Sequence, residues 1–212
     1  MSWALILLIL LIAGILAFLA SARRGAAARA EDAAESMDAD SRSLYSPIRR
    51  LSDEIEALAS RKDTATIRII GAEAAQEARR IREQCARALV ARSELKRAGR
   101  GKSTALGEID DLDRQLAEAA SDQEKQAYLN AQEAYRRQIA HFAKAEEALS
   151  RIDVSVKAAE AVLAEMKTRL AVAASSEKAE LAGDEDLRET ISRMKTLSVS
   201  YDEAEQTLRS TF

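Results

Sequence analysis

The sequence predicts an all-α protein: a single N-terminal transmembrane helix followed by an elongated antiparallel helical bundle or coiled coil. Three observations carry this. The chain opens with an uncharged apolar run, its second half holds sustained heptads, and only seven glycines and one proline interrupt 212 residues. Charged residues make up 32% and aromatics only 4%, which is the balance of long solvated helices rather than of a rounded core. A lone Cys excludes an internal disulfide, and one His with one Cys leaves too few soft ligands for a conventional zinc site.

Residues 1–24 read as the anchor. From Trp3 to Ala22 twenty residues carry no charge, and at ~1.5 Å per residue they match a bilayer core of roughly 30 Å. Leu5, Leu8, Leu11, Ile15 and Phe18 supply the lipid-facing bulk, and Trp3 suits the interface. Arg23, Arg24 and Arg29 follow the run while Met1-Ser2 offers no cationic side chain. The expected orientation is therefore N-terminus outside and the long C-terminal part cytoplasmic. The competing reading is a cleaved signal peptide at Ala20-Ser21-Ala22, which would make the mature chain periplasmic or secreted. Against it stand the missing basic n-region and an apolar run longer than the usual ~7–15 residues. Ala13 and Ala17 form a small-xxx-small pair, more simply read as lipid-facing alanine than as a dimer face.

Residues 25–43 are acidic, rich in Ala and nearly free of large apolar side chains, so they read as a linker or helical stalk. The coiled-coil domain is expected over 44–212. Ser46-Pro47 looks like a helix start, with Ser as N-cap and Pro at the first helical position. Apolar spacing then supports a helix over 47–98 with a bend or short break near Asp63-Thr64. Gly99 and Gly101 suggest a chain reversal. Leu106, Ile109, Leu112 and Leu116 mark a helix over 104–119, and Ser121 with Glu124 matches a capping box ahead of the next.

The strongest periodicity spans 122–174. Tyr128, Tyr135, Phe142, Leu149, Val156, Leu163 and Leu170 recur every seven residues, with Ala131, Gln138, Ala145, Ile152, Ala159, Met166 and Ala173 three places after each. Such a helix is too long to stand without partners along its length. Ala182-Gly183-Asp184 suggests a second reversal into a final helix over 185–210, striped by Leu187, Ile191, Met194, Leu197, Tyr201, Ala204 and Leu208. An antiparallel bundle of two or three strands is expected, with 47–98 and 122–174 pairing.

Charge is segregated. Arg79, Arg80, Arg82, Arg87, Arg92, Lys96, Arg97, Arg100 and Lys102 face only Glu83 and Glu94, whereas residues 103–133 carry eight acids against Arg114 and Lys125. Across a hairpin at the glycines the two blocks would neutralise each other and fix register. The other reading makes 79–102 a patch for anionic lipid or another anionic partner. No aromatic interrupts it, so single-stranded nucleic acid finds no stacking platform and is not expected as a partner.

Chemical motifs fail on inspection. Gly101-Lys102-Ser103-Thr104 resembles the end of a phosphate loop, but Lys96 stands where its first glycine belongs. Asp110, Asp111 and Asp113 lack the glycine and closing glutamate of a calcium loop. His141 has Gln138, not Glu, three places before it, which departs from the di-iron pattern. No catalytic residue, cofactor, metal or small-molecule substrate is therefore expected. The sequence reading is a non-enzymatic, single-pass scaffold, spacer or docking rod, whose partners are the membrane and either other proteins or itself. The alternative is a remodelling or stress protein that binds anionic lipid through 79–102. In layout alone, one span followed by antiparallel helices resembles LemA-type and other bacterial single-pass coiled-coil proteins; no stretch carries a diagnostic motif, and no family is assigned.

Overall fold

The computed structural model describes residues 33–60, 65–175 and 182–211, with side chains described at 33–60, 69–175 and 185–203. All-α architecture holds, with no strand among the described residues. The helices are α1 (Ala39–Ala59), α2 (Ala65–Gly99), α3 (Lys102–Glu118), α4 (Asp122–Ser175) and α5 (Ala182–Thr211). The expected anchor, with Trp3, Leu5, Leu8, Leu11, Ile15 and Phe18, lies outside the described residues. No helix among those described is long and apolar enough to cross a membrane.

The spine is α4, whose 54 residues extend ~80 Å at ~1.5 Å each. Its start is the reciprocal cap read from the sequence. The Glu124 amide donates to Ser121 Oγ at 3.2 Å, and the Ser121 amide returns a bond to Glu124 Oε2 at 3.1 Å. Antiparallel to α4 run first α2 and then α3, in one shared register. Arg92 meets Asp153, Lys102 meets Glu146, Gly101 lies under the Phe142 ring, and Gln132 meets Asp113. The expected reversal at Gly99 and Gly101 is therefore a jog. Gly101 keeps right-handed helical angles, no described glycine adopts positive φ, and α3 continues along α4 in the direction of α2. The chain turns back after α3, between Glu118 and Asp122.

A second correction concerns 47–98. Instead of one bent helix, α1 and α2 are antiparallel partners, joined by Ser41 to Ser93, Arg82 to Asp53 and Lys96 to Asp40. Both helices carry apolar stripes, and facing them across a hairpin buries Ile48, Leu51 and Ile55 against Ile81 and Leu89, which a single straight helix could not do. Nor does α1 begin at Ser46-Pro47. Asp38 is the N-cap, accepting from the Ser41 amide at 2.7 Å, and Pro47 lies two turns inside the helix. Interior proline costs about 3 kcal/mol. Burial of Met37, Ser41 and Tyr45 upstream of Pro47 offsets it, and draws residues 33–43 of the expected linker into the packing.

Both α1 and α5 pack on α2 and on α4, which also pack on each other. They occupy opposite grooves of the central pair, giving a four-helix body around α2 and the C-terminal half of α4. Among the described residues α3 alone covers the N-terminal half of α4. The molecule thus has a four-strand body and a two-strand hairpin where two or three strands were expected.

Candidate functional site

The seam residues divide at the junction of body and hairpin. Phe142, Ile152, Val156, Leu163, Met166 and Leu170 are buried, as are Ala145 and Ala159 between them, and Leu149 is half-buried. Tyr128 and Tyr135 are only half-buried, and Gln138 is exposed. On the facing helix Ile109, Leu112 and Leu116 are likewise half-buried, while Leu106 and Leu129 remain 47% and 45% exposed. Two helices meet along one line, so apolar side chains beside that line stay wet unless further helices close over them. Ala105 is buried at the base, and Gln132, 2% exposed, donates to Asp113 Oδ1 at 2.6 Å in place of apolar contact.

The basic stretch forms no continuous cationic face. Arg79 pairs with Glu56 at 3.6 Å, Arg80 with Asp202 at 3.0 Å and Arg82 with Asp53 at 2.7 Å. Arg92 holds Asp153 at 2.6 Å, Lys96 holds Asp40 at 2.5 Å and Lys102 holds Glu146 at 2.8 Å. Arg87, Arg97 and Arg100 are exposed. The carboxylates come from α1, α4, α5 and the α1 cap, not from 103–133. That block lies end to end with 79–102 along α4, so the expected hairpin neutralisation cannot form.

Two polar layers cross the body. In the first, Arg92 spans three elements, donating through Nε and Nη2 to Asp153 and through Nη1 to Ser41 Oγ at 3.2 Å. Ser93 Oγ lies 3.1 Å from Ser41 Oγ and accepts the Asp38 amide at 3.0 Å. The Ser41 hydrogen bonds hold the Asp38 carboxyl below the usual carboxylate range, assisted by Lys96 and Arg92. In the second layer the Gln84 amide donates to the Ser198 carbonyl at 2.9 Å and to Asp202 at 2.7 Å, while Ser198 Oγ donates to Gln84 Oε1 at 2.8 Å. The Gln84 and Arg80 hydrogen bonds lower the Asp202 pKa.

Beside it the Cys85 thiol donates to Tyr201 Oη at 3.3 Å. Burial pushes the thiol up to about 12 and also raises the Tyr201 phenol, so both stay neutral and the thiol is a poor nucleophile. Small polar groups satisfied across helices let the backbones approach and single out one register. Sequence reasoning marked Tyr201 as an apolar-face residue but missed Ser41, Ser93, Gln84 and Ser198. Their signal is a polar residue at a position the helical period turns inward.

Among the described residues no group of three or more His, Cys, Asp or Glu is placed to hold a metal, and His141 is exposed on α4. A shallow groove on the outer face of α1, lined by Arg49, Arg50, Asp53 and Glu54, mixes both charge signs on one open helix face. The arrangement is suited to holding helices in register and presenting the hairpin. Comparison with protein-family models, with curated proteins and with solved structures finds no match to the chain.

Proposed function

We propose that the protein is a non-enzymatic helical rod, tethered to a membrane by residues 1–24, whose work on the cytoplasmic side is to space or dock other protein surfaces. One observation carries this reading: the α3–α4 hairpin projects beyond the body with its apolar residues half-covered, whereas the charged clusters of the body are engaged in joining helices. Tethering raises the effective concentration of whatever the hairpin meets.

The lipid-binding alternative has less support, since six of its nine cations are engaged by carboxylates of the same chain. Membrane fractionation with alkaline extraction tests the proposal. The full chain is expected to resist extraction, a chain lacking residues 1–24 to be released, and a reporter at Phe212 to read cytoplasmic. A full chain released by alkali, or a reporter on the opposite side, contradicts it.

A further inference from the structure

We draw no further inference here: the strongest candidate, the partly covered apolar strip of Leu106, Ile109, Leu112, Leu116 and Leu129 along the α3–α4 hairpin, carries nothing, since nothing in the structure shows what covers it.

Discussion

Along α4 one heptad pattern meets two environments. In the body its apolar positions are closed over by α1, α2 and α5, and Leu163 and Met166 have no exposed surface. In the hairpin the same pattern faces, among the described residues, α3 alone, and Tyr128 and Tyr135 stay half-buried. The difference teaches that a heptad states which face of a helix will be covered, and not by how many helices. Stability follows the covering, because burial free energy scales with the apolar area removed from water.

Mutations can break or sharpen this contrast. Leu163→Ala, in the body, should cost about 2–5 kcal/mol, read as a lower denaturation midpoint by circular dichroism, because it leaves a cavity in a closed core. Leu112→Ala in the hairpin should cost well under half of that, since water already reaches its site; equal losses would erase the contrast. Arg92→Ala should cost about 2 kcal/mol, below the usual figure for a broken buried pair because Asp153 keeps 39% exposure. Ser121→Ala removes the α4 cap and should cost about 1 kcal/mol, felt in the hairpin rather than the body.

The polar layers and the thiol beside the second give the body opposite sensitivities to pH. Cys85 is raised from 9.0 in the unfolded chain to about 12 when folded, so the folded state retains its proton longer. Its stabilising contribution is complete below about pH 9 and is lost as pH climbs toward 12. The alkaline fall in melting temperature should shrink in Cys85→Ala. Asp38 and Asp202 are lowered from 3.8, so what they contribute is present above that value and lost as pH falls through their folded pKa values. An alkaline profile identical in Cys85→Ala and the parent would remove the thiol from the account.

Much of the framework was legible in the sequence. The capping box at Ser121 placed the start of α4, and the heptads from Phe142 to Leu170 placed its buried face. What escaped depended on neighbours. Gly99 and Gly101 permit a reversal without requiring one, and the direction of α3 is settled by its packing on α4. Once α3 runs on from α2, the acidic block cannot reach the basic one, so Arg82 and Arg92 take Asp53 and Asp153 instead. The hairpin of α1 and α2 escaped because one continuous helix and two antiparallel ones share the same 3.6-residue period. Ser41 and Ser93 escaped because buried serines carry no hydrophobic signal, and only their pairing explains their place.

Amide hydrogen exchange on the full chain tests the central claim most directly. The account predicts slow exchange over 150–170 and faster exchange over 102–140. Uniform protection along α4 would contradict it, because the hairpin would then be as fully covered as the body.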